Sequence, residues 1–296
     1  MSVLRTNIDN LVQLSVTGEI AHPAYGRTPY RISADGEAVV VAGAAGVTYN
    51  VRVGDSATRW AADHVEPAVS IKNPQGNGFD GANGGLNVLA CIGNEARVVS
   101  GKAEGEKGVV TGKHGGAERV MIDFPADIME KMLPGDNILV RGWGVGMELL
   151  DYAGVKVFSL SPQLLEAWGI EESDGRLKVP VTHRVPAAVM GSGLGQASVH
   201  RGDYDITLFD EKTASEYNLN HLRLGDIVAI VDADHSYGRI YRTGAVSIGI
   251  IIHGDSFVAG HGPGVTSLMT AKGGEIEPVI NPDANIASIL KLRTDL

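Results

Sequence analysis

The sequence is short of cysteine, of aromatic side chains and of positive charge, and each shortage excludes a class of protein. A single cysteine, Cys91, rules out an intrachain disulfide framework and fits a reducing compartment. Aromatic residues make up 5% of the chain, and 25 basic residues face 35 acidic ones, for a net charge of −10. Nucleic-acid binding needs a cationic footprint, and single strands also need aromatic faces for stacking. No nucleic-acid partner is therefore expected. No apolar run approaches the roughly 20 residues of a membrane helix. The stretch from Met1 to Asn7 has no signal-peptide core. The expectation is a cytoplasmic protein with no membrane partner. Two phosphate or acyl-transfer motifs are also missing. Lys107 stands where a P-loop ending at Gly112-Lys113 needs its first glycine, and His114 stands where it needs Ser or Thr. Met190 occupies the first glycine position of a nucleophile elbow around Ser192.

Glycine is what the chain has in quantity, with 39 residues, and 9 histidines sit among them. The glycines separate short runs rich in Val and Ile, and such runs bounded by Gly, Asp and Pro favour buried strands over helices. The predicted fold is mainly β, with several small β-barrel or sandwich subdomains and a few short helices. Ser161 caps a helix beginning at Pro162, Glu211 to Tyr217 forms another, and Asp283 caps one over Ala284 to Leu290. Lys72 to Gly85 reads as a long Gly/Asn loop. A length of 296 residues suggests two domains. Residues 1–132 form an N-terminal β domain that includes a small Gly-rich barrel near 91–124. Residues 133–296 form a C-terminal β domain with Gly-rich loops.

The chain is organised around Leu224 to Thr270. There two apolar runs deliver Asp232, Asp234, His235 and His253 to turns, and a loop from Ala259 to Gly264 carries His261. Titratable groups on Gly-shaped loops of a rigid sheet are where chemistry tends to sit. Elsewhere, His64 and Glu66 lie two apart, so an extended segment points both to one face. Asp203 and Asp205 have the same spacing, which suits a hard cation or an acid–base pair. Lys113-His114 precedes Gly115 and Gly116, where the backbone can approach a ligand closely.

From these residues the leading function is a metal-assisted, hydrolase-like enzyme acting on a small polar molecule. A divalent metal lowers the pKa of bound water and polarises a carbonyl. His64, Glu66, Asp203, Asp205 and His261 are the candidate ligands. His114, His253 and Asp255 are the candidate catalytic residues, the two histidines serving as ligands or as bases. Three alternatives stand beside it. A metal-free lyase or isomerase would use His114 or His253 as base, with amides of Gly191, Ser192, Gly193 and Gly195 holding an oxyanion. A non-catalytic protein would bind a small polar or anionic ligand. A structural subunit would form a homo-oligomer.

Several phrases together carry a resemblance. They are Asp63-His64-Val65-Glu66-Pro67, Cys91-Ile92-Gly93-Asn94, the run from Gly112 to Gly116, the run from Met190 to Gly195, Gly202 to Ile206, Leu224 to Ala229, and Gly260 to Thr266. With them the chain resembles, over nearly its whole length, a prokaryotic family known as a domain of unknown function, of the DUF 4438 type. That resemblance implies a mainly-β architecture and brings no activity. A second similarity is to the acetamidase/formamidase family, through Arg201 to Asp205, Leu224 to Val228 and Asp232 to His235. This sequence departs from that pattern, with Asp203 in place of an Asn and without the later Gly-Asp-Gly-Glu phrase.

Overall fold

The computed structural model describes residues 4–76, 80–194 and 199–295. It is mainly β, as the spacing of glycines predicts. Six strands close a barrel: β1 (Leu14–Ile20), β2 (Ala68–Lys72), β3 (Glu95–Val98), β4 (Lys107–His114), β5 (Arg119–Asp123) and β6 (Asn137–Gly142). They run β1-β6-β3-β4-β5-β2, and β2 returns to pair with β1. Every pairing around the ring is antiparallel. Closure removes the open edges that a sheet would otherwise expose. The barrel is thus larger than the one expected near 91–124. β6, Asn137–Gly142, pairs with β1 and β3 to complete it.

The second sheet is open: β7 (His183–Pro186), β8 (Met190–Gly193), β9 (Tyr204–Ile206), β10 (Ile227–Asp234), β11 (Ile240–His253) and β12 (Gly264–Ala271). Its order is β7-β10-β11-β12-β9-β8. The apolar runs read as central strands, Ile227 to Val231 and Ala245 to Ile252, are paired neighbours within it.

Barrel and sheet share one core. A continuous cluster of buried residues runs from Ile20 and Val110 on the barrel side to Ile252 and Met269 on the sheet side. β4 packs onto β11 closely because Gly112 has no side chain. A Cβ there would lie 2.7 Å from the Ile252 Cβ. The adjacent Lys113 side chain crosses the seam with no exposure at all. Its ammonium donates to Ser159 Oγ at 3.0 Å, to the Val88 carbonyl at 3.3 Å and to the His200 carbonyl at 2.8 Å. Burial without a carboxylate partner pushes its pKa down to about 8.

Two local expectations need correction. The Gly/Asn segment is not a loop throughout, because residues Gly81–Leu89 form a helix. Intrinsic propensity argues against it. The helix is held by tertiary contacts: Leu86 is fully buried, and Asn83 and Asn87 both donate to the Glu118 carbonyl. The last helix is Ile286–Ile289, capped by Asn285 and not by Asp283. The Ser161 cap is present, accepting from the Leu164 amide at 3.1 Å. Among the described residues, no helix is long and apolar enough to cross a membrane.

Candidate metal centre

The seam between barrel and sheet gathers six of the residues singled out from sequence. His64 comes from the segment before β2, and His114 ends β4. Asp203 and Asp205 flank Tyr204 at the start of β9, His253 ends β11, and His261 lies in the loop before β12. Ring centroids of His114 and His253 are 4.3 Å apart, those of His64 and His253 4.9 Å, and those of His64 and His261 5.1 Å. The donor atoms fall into two triads, His64/Asp205/His261 and His114/Asp203/His253.

Sheet geometry explains why the carboxylates meet the histidines. The alternation of a strand sends Tyr204 to one face, where it is buried against His235, and Asp203 and Asp205 to the other. On β12, Gly264 pairs with Asp205 on one side and with His253 on the other. With no side chain on the middle strand, the two outer side chains meet across it. Asp205 Oδ1 lies 3.4 Å from His253 Nε2, and Asp203 Oδ2 lies 3.0 Å from the same nitrogen.

Three of the four histidines, His64, His114 and His253, are aimed by their Nδ1 nitrogens. His64 Nδ1 faces Asp63 Oδ2 at 3.1 Å, and the His64 amide donates to the Asp255 carbonyl at 2.9 Å. His114 Nδ1 meets Glu66 Oε1 at 2.5 Å. His253 Nδ1 donates to the Gly254 carbonyl at 2.9 Å. Asp203 is fixed the same way, its Oδ1 accepting from the Gly115 amide at 2.7 Å. Nδ1–H donation fixes the tautomer and leaves Nε2 free to ligate, the usual outer-shell arrangement around metal-bound histidine. Glu66 is therefore a partner of His114, held further by Ser70 Oγ at 2.6 Å and Arg119 at 3.5 Å, and not a member of either triad.

Two buried atoms test whether the cluster suits a cation. His253 has no solvent exposure, yet its Nε2 and the facing Asp203 Oδ2 have no hydrogen-bond partner among the described residues. Unpaired buried polar atoms are costly. A nitrogen and a carboxylate oxygen that face each other at 3.0 Å outside hydrogen-bond geometry are spaced as two ligands of one ion. His64 Nε2 and His261 Nδ1, by contrast, are hydrogen-bonded to each other at 3.2 Å, and His261 Nδ1 also meets Asp205 Oδ2 at 2.6 Å.

The electrostatics match a cation site. Burial opposes the charged form of His253, but the carboxylates of Asp203 and Asp205 raise its pKa well above the ordinary value. Burial likewise opposes ionisation of Glu66, and the hydrogen bond and charge of His114, with Arg119 and Ser70, hold it down to about 2. Asp63 is held at about 2 against burial by His64, Ser256 and Arg31. A depressed carboxylate stabilises the fold above its unfolded value and loses that contribution as pH falls through its folded value. The metal-free protein is therefore expected to lose thermal stability as pH falls from 4.5 toward about 2. Glu66→Gln should flatten that acid limb, as read by melting temperature against pH. The same variant should weaken metal binding by about 10- to 100-fold, as read by titration.

A cavity of about 300 Å³ opens on the cluster, lined in part by His64, His114, Gly116, Ser192 and Gly193. Its size admits a small molecule. The amides expected to hold an oxyanion are only partly available. The Ser192 N–H donates to the Gly260 carbonyl at 2.7 Å, and Gly193 pairs with Tyr204 in β8–β9. Gly191 is needed for close approach of the Gly260 carbonyl. Gly195 lies outside the described residues. Asp255 sits beside the cluster, where burial raises its pKa. It contributes its carbonyl to His64, and its Oδ1 accepts from Ser256. Asp234 and His235 are not brought to the site. His235 is buried on the other face, its Nδ1 3.0 Å from Ser267 Oγ.

Sequence reasoning missed the roles of Asp63 and Gly264. Asp63 was visible as the neighbour of His64. Gly264 gave no signal of its own, because its importance lies in the register of three strands.

The family described as domain of unknown function (DUF4438), N-terminal, matches residues 30–166, and its C-terminal counterpart matches residues 167–290. His64 and His114 lie in the first match, and Asp203, Asp205, His253 and His261 in the second. A solved structure, described as the crystal structure of TM1086, is similar at 46% sequence identity with a TM-score of 0.90. The match covers 96% of this chain and 98% of that one. Among curated proteins, none matches the chain.

Proposed function

We propose, from the premise that the chain belongs to the DUF4438 family, that the His/Asp cluster is the divalent-metal centre of a hydrolase for a small polar molecule. The observation that carries this reading is the convergence of His and Asp donor atoms around His253 Nε2 and Asp203 Oδ2, both buried and without hydrogen-bond partners. Structural histidines in β proteins normally satisfy buried polar groups. Here the outer Nδ1 of His253 does so, with the Gly254 carbonyl, and its inner Nε2 does not.

A divalent cation in such a site polarises a carbonyl or phosphoryl oxygen and makes water a nucleophile at neutral pH. The chain's own residues supply the rest. Asp63, Glu66 and the Gly254 carbonyl orient the rings. The fully buried His253 has no access to a substrate, which favours a ligand role over that of a base. His261, with a side chain 34% exposed, is the donor nearest the cavity mouth.

The test is a screen of small amides, esters and phosphomonoesters with metal-free protein and with protein loaded with zinc, manganese or iron. Turnover that requires the metal and disappears in His114→Ala supports the reading. Metal binding without turnover of any class would assign the centre to a binding protein. Turnover indifferent to chelation would contradict it.

A further inference from the structure

Resting on that reading of the cluster as a metal centre, we infer that it holds two divalent cations and that Asp205 bridges them. Six donor atoms exceed the four of a tetrahedral site, of which a catalytic zinc takes three from protein. Their arrangement separates them. His64 Nε2, His261 Nδ1 and Asp205 Oδ2 form a compact triangle, with 3.2 Å between the nitrogens and 2.6 and 3.7 Å from the oxygen to His261 and His64. His253 Nε2 and Asp203 Oδ2 sit 3.0 Å apart in the second group, whose third donor is His114.

Asp205 is the link. Its Oδ2 belongs to the first triangle, while its Oδ1 lies 3.4 Å from His253 Nε2 in the second. Among the described residues, no other carboxylate lies within 4.0 Å of histidines from both triads. Asp203 approaches only His253, and the Asp203 oxygen not facing that ring is committed to the Gly115 amide. One oxygen directed at each triad is the geometry of a bridging carboxylate. Two ions in adjacent triads form the clamp that stabilises both the attacking and the leaving oxygen of a displacement. The cavity wall supplied by His64, His114 and His261 touches both triads, so one small substrate can reach both ions.

The arrangement is tested by titrating the metal-free full-length protein with manganese. Bound metal is counted by elemental analysis, and the ions are examined by electron paramagnetic resonance. The unmodified protein is expected to bind two equivalents and to give the spectrum of an exchange-coupled pair. His261→Ala, at the partly exposed edge of the site, should fold normally by melting and bind one equivalent with an isolated-ion spectrum. Asp205→Asn should abolish the coupling. Saturation of the unmodified protein at one equivalent overturns the two-ion inference and leaves the metal centre standing. Two uncoupled equivalents overturn the bridge. No bound manganese, zinc or iron overturns both.

Discussion

Replacing His253 with alanine is expected to strip the protein of bound metal, lower any metal-dependent turnover at least about 100-fold, and destabilise the metal-free fold. His253 is fully buried and faces the carboxylates of Asp203 and Asp205, themselves almost fully buried. Removing one partner of a buried charged group leaves the other unpaired in a low-dielectric interior, at a cost of about 3–5 kcal/mol. The sign depends on pH. The raised pKa of His253 means that its stabilising contribution to the metal-free protein is present below 6.5 and fades as pH rises through the folded value. A cation replaces that proton, so the stability gained on metal loading should grow with pH. Melting temperatures at pH 6 and pH 8, with and without metal, measure both effects. An alanine variant that retained stoichiometric metal would remove His253 from the ligand set.

The second large effect is expected from a single added methyl group. Gly264 lies between Asp205 and His253 in the sheet, and a Cβ on it would collide with both Asp203 Oδ2 and His253 Nε2. Gly264 has no positive φ, so the backbone tolerates alanine and only the space does not. Gly264→Ala should cost about 1–3 kcal/mol through overpacking. It should also reduce metal affinity more than tenfold by driving the two ligands apart. Gly85 provides the contrast. It lies inside the Gly81–Leu89 helix with nothing within 4 Å of an added Cβ. Gly85→Ala should therefore be neutral or stabilising by up to about 1 kcal/mol. Equal losses for the two variants would show that the Gly264 effect is not specific to the site.

The division between what could be read in the sequence and what could not follows from the range of each signal. Strands could be read because their pattern is local, and so could the placing of Asp203 and Asp205 on one face, since period two fixes it. His64, His114, His253 and His261 were legible as histidines beside glycine turns. Their convergence was not, because 197 residues separate His64 from His261. Glu66 was chosen as a ligand for its spacing from His64, yet its partner is His114, a contact across β2, β5 and β4 that spacing cannot reveal. The helix over 81–89 was hidden by its own glycines, since its stability comes from Leu86 and two buried asparagines meeting a distant turn. The extent of the barrel was hidden because β6 joins β1 over more than a hundred residues of chain, where no local pattern reports the pairing.

The central claim is that the inner nitrogens and oxygens of this cluster are metal ligands. It is tested most directly by anomalous diffraction from crystals of the full chain soaked in manganese or zinc, with data collected on both sides of the metal edge. The account predicts anomalous peaks within bonding distance of His253 Nε2 and Asp203 Oδ2, and of His64 Nε2 and Asp205 Oδ2. A cluster that shows no peak after loading, with ordered water hydrogen-bonded to His253 Nε2 and Asp203 Oδ2, would contradict it.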